Sequence, residues 1–139
     1  MKRVADIIVH EVETCRPTET LSAAAQRLWM GRSGILPVVV DGTHGRQMVG
    51  TLSDRDVFTA AHTHCRPLHA IRVMNAMARN PWTCRLDDLV QLAVDRMRQQ
   101  DLDRLPVLDE RGHLAGMVLL ADAIPALSPE DPGGKRVAA

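Results

Sequence analysis

Aromatic residues are nearly missing from this chain: its 139 residues include two Trp, one Phe and no Tyr. Charge of one sign is missing too, since 17 Lys and Arg balance 17 Asp and Glu. A nucleic-acid binder needs a basic field and rings on which bases can stack, so these two shortages together argue against that class. Long hydrophobic runs are also lacking. After Met1-Lys2-Arg3 the first apolar run is Ile7-Ile8-Val9, too short for a signal peptide, and no segment approaches a membrane span. Cysteine is scarce: Cys15, Cys65 and Cys84 form an odd set without zinc-ribbon or redox spacing, which suits reduced thiols in a cytoplasmic protein. The sequence holds no nucleophile beside a base, no paired catalytic carboxylates and no phosphate-binding glycine loop. An enzyme is therefore not expected. What remains is 45% hydrophobic and 24% charged residues, a globular balance, in a length that buries about two thirds of its unfolded surface without disulfides.

Read in order, the chain opens with a mixed stretch, Val4 to Val12, and a short extended candidate at Glu13-Thr14-Cys15. Thr18 is positioned to open a helix over Glu19 to Met30, where Leu21, Ala24, Ala25, Leu28 and Trp29 recur at helical spacing. Leu36-Pro37-Val38-Val39-Val40 reads as a buried strand. Asp41-Gly42-Thr43-His44-Gly45 is turn chemistry, and Met48 to Leu52 is the returning strand of a hairpin. The stretch Gly50-Thr51-Leu52-Ser53-Asp54-Arg55-Asp56-Val57 follows, where an apolar run meets a helix start. Ser53 with Asp56 three residues on is a capping box, or a hydroxyl and carboxylate ready for a phosphorylated nucleoside at a helix N-terminus.

The same pattern then recurs. Thr14-Cys15-Arg16 matches Thr83-Cys84-Arg85, and Leu36-Pro37-Val38 matches Leu105-Pro106-Val107, both at an offset of 69 (83 − 14). Gly50 matches Gly116 and Asp56 matches Asp122 at an offset of 66 (116 − 50), so the second hairpin, at Asp109-Glu110-Arg111-Gly112, is shorter. Leu89, Leu92, Ala93 and Met97 mark the helix of the second unit, with Asp87-Asp88 at its start, and Leu114 to Leu120 its returning strand. Internal repetition of this kind means two units packed on each other, because neither can bury both faces of its sheet alone. The expected fold is α/β (α+β): two pseudo-symmetric repeats, each strand-helix-strand-strand-helix with a small three-stranded sheet. Repeat 1 spans residues 1–66, repeat 2 spans 67–127, and 128–139, rich in Pro, Gly and charge, form a mobile tail. Clefts between repeats, lined by strand ends and helix starts, are where ligands are expected.

With both copies of the motif and both Leu-Pro-Val strands in register, the chain resembles a tandem pair of CBS domains, the modules named after cystathionine β-synthase. The resemblance covers about Val4 to Leu127. It implies a regulatory, non-catalytic module that dimerises and takes an adenine nucleotide or adenosyl compound between its repeats as regulatory ligand, with no cofactor required. Carried over residue by residue, Asp56 would accept the ribose hydroxyls, Ser53 would contact phosphate, and Thr14, Ile35 and Pro37 would wall the base and ribose. Thr83, Pro106 and Asp122 are the corresponding ligand residues of the second repeat. Arg55 is either a phosphate partner or an exposed helix-start residue. The second repeat departs from the pattern at Leu119, which stands where Ser53 stands in the first. An equipped cleft around Ser53 and Asp56 and a weaker or empty one around Asp122 follow. Output would pass to an effector protein or to the homodimer itself, with no nucleic acid and no membrane.

A metal- or thiol-responsive stress protein without nucleotide binding is the alternative. His62, Cys65 and His69 are its only metal-ligand cluster, although Pro67 argues against one unbroken helix through them. Cys15 and Cys84, at equivalent positions, are small buried hydrophobes or redox sensors. Trp29 and Trp82 belong in a core or interface, and His44 and His113 are solvated near the hairpins. A purely structural dimer with empty clefts is the third reading.

Overall fold

Each repeat places two helices against one face of a short sheet in the computed structural model, which describes residues 2–31 and 33–127. The expected mobile tail, residues 128–139, lies outside the described residues. In the first repeat helix α1 (Leu21–Gly31) leads to strand β1 (Ile35–Gly42), strand β2 (Gly45–Ser53) and helix α2 (Asp54–His64). The second contains strand β3 (Cys84–Arg85), helix α3 (Val90–Gln100), strands β4 (Arg104–Leu108) and β5 (Leu114–Leu119), and helix α4 (Leu120–Leu127). No helix among the described residues is long and apolar enough to cross a membrane.

Both first helices begin later than the acids and hydroxyls in front of them suggest. Thr20, not Thr18, closes the first turn of α1, its Oγ1 accepting from the Ala23 N–H at 3.2 Å. Thr18 lies in the preceding turn. In the second repeat Asp88 stands before α3 and is spent elsewhere, accepting from the Arg85 N–H at 2.8 Å and pairing with Arg96 at 3.6 Å. A carboxylate committed to a guanidinium is not available as a cap.

β1 and β2 form an antiparallel hairpin across the two-residue turn Thr43-His44, with Gly45 at φ 146°, a conformation glycine adopts without cost. The second repeat has the expected three-stranded sheet, β3-β4-β5. In the first, the leading strand is reduced to a single bridge, Cys15 to Val38, although Cys15 still exchanges backbone bonds with Pro37 and Val39.

Each sheet is finished from outside its own repeat. Ala78 pairs with Thr51 on β2 through two backbone bonds, and Val9 pairs with Met117 on β5 in the same way. Leading into these bridges are matched 3₁₀ turns, Val73–Asn75 against the first repeat and Val4–Asp6 against the second. The two glycines of the repeated motif permit this approach. A Cβ on Gly50 would lie 2.6 Å from the Ala78 carbonyl oxygen, and one on Gly116 would lie 2.3 Å from that of Val9.

Two cores result. Leu21, Ala24, Ala25, Leu28, Leu36, Val38 and Leu52 centre the first, while Val4, Val90, Ala93, Val94, Met97, Leu105 and Val118 centre the second. Trp29 and Leu92, placed on the apolar helix faces by spacing, instead point outward at 59% and 38% exposure. The Trp29 indole donates to Asp54 Oδ1 on α2 at 3.1 Å, so it closes over the helix pair rather than entering it.

A third apolar layer separates the repeats. Ile35, Val39, Leu114 and Met117 are buried yet belong to neither core. Alternation along a strand turns Ile35, Val39 and Met117 to the face opposite Leu36, Val38 and Val118, and the bulge between Leu114 and Gly116 brings Leu114 to that face as well. Gln47 on β2 bridges to His113 beside β5, and Gly34 lies against Asp103, so the sheets oppose each other across a pseudo-two-fold. His113 is therefore not simply solvated. Its ring packs on Gly45 of the other hairpin, and its side chain is 17% exposed.

Candidate functional site

The register of the first hairpin assembles most of the expected ligand residues of repeat 1. Ile35 pairs with Ser53 and Pro37 with Thr51, so all four sit on the strand face turned toward the other repeat. Ile35 and Pro37 are buried, and Thr51 is the buried polar residue of this layer. Thr14 is half-buried beside Cys15, which bridges to the same strand.

At the end of β2 the chain turns into α2 through a reciprocal capping box. Ser53 Oγ accepts from the Asp56 N–H at 3.2 Å, and Asp56 Oδ2 accepts from the Ser53 N–H at 2.9 Å. Both side chains are half-buried, while Arg55 between them is exposed. One carboxylate oxygen of Asp56 is thus fixed by backbone. The other keeps its lone pairs for further donors.

The second repeat keeps Thr83, Pro106 and Asp122 at the places of Thr14, Pro37 and Asp56 and differs at the others. Pro106 is retained and buried, and pairs with Met117 where Pro37 pairs with Thr51. Arg104 stands in the place of Ile35 and pairs with Leu119 in the place of Ser53. Without a hydroxyl at Leu119, α4 begins with the Leu120 N–H donating to the Asp103 carbonyl at 2.9 Å. Asp122 is in its first turn and exposed.

Behind both leading strands lies a repeated ion pair that composition alone did not disclose. Arg27 on α1 donates to the Thr14 carbonyl and pairs with Glu19, and Arg96 on α3 donates to the Thr83 carbonyl and pairs with Asp88. The offset of 69 relates every member (96 − 27, 88 − 19), so comparing the repeats position by position finds them. The Arg27 guanidinium holds the Glu19 carboxyl below its ordinary range, and Glu19 in turn raises Arg27. These pairs fix the backbone of the two threonines from the helix that follows each.

Thr83 also lines a cavity of about 300 Å³ between the repeats, together with Met48 and Gly50 of β2, Arg79, Asn80 and Leu108. It joins the segment that finishes the first sheet to the strand that opens the second. A cavity of about 490 Å³ lies beside α1, bordered by Glu13, Ala23, Arg27 and Met30. Its guanidinium is already committed to Glu19 and Thr14, which leaves it little to offer a ligand.

The histidine and cysteine cluster is broken by the backbone. α2 stops at His64, and Cys65 takes the left-handed C-cap conformation at φ 51°, its thiol donating to the His62 carbonyl at 3.4 Å. His69 belongs to the next 3₁₀ turn, Leu68–Ala70. Among the described residues no three His, Cys, Asp or Glu side chains converge as a metal site. Cys15 and Cys84 are buried in the two cores, and desolvation, helped by Glu19 and Asp88 respectively, pushes each thiol up to about 12. Neither supplies thiolate at neutral pH.

Known proteins share this architecture. A family model described as the CBS domain matches twice, over residues 4–63 and 71–129. The CBS domain-containing protein YhcV of Bacillus subtilis is 30% identical over 138 residues, covering 96% of this chain and 91% of that protein. An inosine-5'-monophosphate dehydrogenase of Korarchaeum cryptofilum is 30% identical over 146 residues, and there the chain spans 28% of the relative's length. Among solved structures, CBSX2 from Arabidopsis thaliana, crystallised in complex with AMP, superposes with a TM-score of 0.76 at 22% identity, covering 91% of this chain and 96% of that one.

Proposed function

This chain belongs to the CBS domain family and carries two copies in tandem, and from that premise we propose that it is a regulatory module rather than an enzyme. It binds an adenine nucleotide or adenosyl compound between its repeats and relays occupancy to an effector protein or to its own assembly. The observation that carries this reading is the capping box at Ser53 and Asp56, which holds a carboxylate at a helix N-terminus with acceptor capacity to spare. A ribose diol supplies donors to match it, and charge-assisted bonds of that kind are strong. AMP in the CBSX2 complex supports the ligand class.

In the same reading Asp56 takes the ribose, Ser53 the phosphate side, and Thr14, Ile35, Pro37, Thr83 and Pro106 the walls, with Asp122 marking a weaker second cleft. The repeats divide near residues 66 and 67, and the protein works in the cytoplasm as a homodimer. Phe58 on α2 and Ile124 on α4 support the dimer: they occupy equivalent positions (124 − 58 = 66) and are 75% and 41% exposed. Relay requires the ligand to bind two states of the module unequally. Calorimetric titration of AMP, ADP, ATP and S-adenosylmethionine into wild type, Asp56→Ala and Asp122→Ala tests the site. Binding of at least one ligand, lost in Asp56→Ala and kept in Asp122→Ala, is expected. No binding by the wild type, or equal losses in both variants, overturns it.

A further inference from the structure

The hairpin end of the second sheet, remote from Leu119 and Asp122, holds a cavity of about 300 Å³. Arg85, Leu86 and Asp87 frame it where β3 ends, and Asp109, Glu110 and Arg111 frame it in the turn from β4 to β5. Both sides are anchored. The Arg3 guanidinium donates to the Asp87 carbonyl at 3.0 Å, and the Leu86 N–H donates to the Leu108 carbonyl at 3.3 Å. Asp109 is committed to its own turn, its Oδ1 accepting from the Arg111 and His113 N–H groups at 2.8 and 2.9 Å. Arg85, Arg111, Asp87 and Glu110 remain. All four are exposed, and among the described residues none of them belongs to an ion pair.

The first repeat closes the same corner with its own charges. Arg16, the equivalent of Arg85 (85 − 69), pairs with Asp41, the equivalent of Glu110 (110 − 69), at 2.9 Å. The second hairpin is three residues shorter (69 − 66), and there the Arg85 guanidinium reaches the Glu110 carbonyl at 3.3 Å rather than its carboxylate. One neutral acceptor uses little of a fork with five donors. The charge that Asp41 neutralises in the first repeat is therefore left unmatched in the second, and so is the carboxylate of Glu110.

We infer that this cavity binds a small zwitterion of the free amino-acid class, its carboxylate taken by Arg85 and Arg111 and its ammonium by Asp87 and Glu110. A guanidinium fork matches a carboxylate bidentately, and a carboxylate accepts charge-assisted bonds from an ammonium. Both signs are needed at once. An anion alone would meet two carboxylates, and a cation alone would meet two arginines. The size agrees, since about 300 Å³ is the lower end of the range for ligand cavities. The two acids also disfavour a nucleotide phosphate, so this site is separate from the one proposed at Ser53 and Asp56 and does not depend on it.

Thermal shift with each proteinogenic L-amino acid selects the probe. Calorimetric titration then compares that amino acid with its N-acetyl and amide forms in wild type, Arg85→Gln, Glu110→Gln and Arg16→Gln. At least one amino acid is expected to bind wild type, with each blocked form weaker by about tenfold or more. Arg85→Gln and Glu110→Gln should lose a similar factor yet keep the wild-type melting temperature, because both residues are exposed and outside any ion pair. Arg16→Gln, in the corner that Asp41 already closes, should bind as wild type does. Amide shifts on titration should fall at residues 85–88 and 109–113. The inference is overturned if no amino acid binds at millimolar concentration, if either blocked form binds as tightly as the free one, or if the shifts map elsewhere. Wild-type affinity in Arg85→Gln or Glu110→Gln, or an equal loss in Arg16→Gln, overturns it as well.

Discussion

The two repeats follow one plan of backbone pairing, yet the layer where they meet carries unlike side chains at equivalent places. Thr51 and Ser53 in the first repeat face Met117 and Leu119 at the equivalent places in the second, and Ile35 there is Arg104. Residues that hold each half together are kept: the glycine at the sheet bridge, the buried cysteine, the Leu-Pro-Val strand and the arginine that grips the threonine carbonyl. Duplication thus preserves what packing demands and frees what the cleft uses. Two copies of one sheet therefore present unlike side chains to the layer between them.

The strongest way to break this comparison is to attack what the repeats share. Gly116→Ala should cost about 3 kcal/mol, a fall in Tm on the order of 10 °C, since the new methyl would meet the Val9 carbonyl oxygen at 2.3 Å and Ile8 Cγ1 at 2.9 Å. Gly50→Ala should cost less: its contact with the Ala78 oxygen is 2.6 Å, and the side chain beyond is Met77, which is more adaptable than a β-branched residue. Hydrogen exchange should then quicken in residues 2–9 for the first variant and 72–78 for the second. Equal destabilisation with unaltered exchange would show that the bridges are not what the glycines serve.

Next come the helix starts. Ser53→Ala should lose about 1 kcal/mol by removing an N-cap oxygen, whereas Asp122→Ala, exposed and without a hydroxyl opposite, should change stability by less than about 0.5 kcal/mol. Chemical denaturation of both variants without ligand checks this difference. A large loss in Asp122→Ala would mean that the second helix start is as well capped as the first.

Acid sharpens the comparison between the ion pairs. Glu19 is held below its ordinary value of 4.5 by Arg27, so the folded protein binds that proton less readily than the unfolded chain. The sign follows from linkage: this stabilisation is complete above about 4.5 and disappears as pH falls through the depressed folded value. Glu19→Gln should therefore flatten the decline of stability below pH 4.5, which thermal melts across pH 3 to 6 will register. The smallest effect concerns thiols. Native protein should take up iodoacetamide at exposed Cys65, while Cys15 and Cys84, raised to about 12, react only after unfolding. Mass measurement after brief alkylation distinguishes the three sites.

Much of this was legible because repetition converts single residues into pairs. The hairpins, the Leu-Pro-Val strands and the capping box declare themselves through local spacing, and the offsets of 69 and 66 align them. The helix starts lie later than expected because Glu19 and Asp88, acids in the right place for a cap, serve arginines about two turns further along the same helices. The segments that finish the sheets were illegible: Val9 and Ala78 each pair at a single residue, too briefly to impose alternation on the sequence. Arg104 escaped notice for a related reason. In Asp103-Arg104-Leu105 it reads as a surface charge before a strand, whereas in the fold its side chain is 25% exposed.

The crossing of the two finishing segments also has a consequence in time. The first half is made first, yet its sheet stays incomplete until Ala78, deep in the connection to the second half, has been synthesised. The second half meets the opposite situation, since Val4 and Val9 were made long before their backbone partners, Asp88 and Met117, and must wait for them. The nascent chain therefore carries an unsatisfied strand edge at Thr51 and an undocked apolar segment at Val4 to Val9 together. Pairing them with each other is the error that co-translational folding of this protein has to avoid.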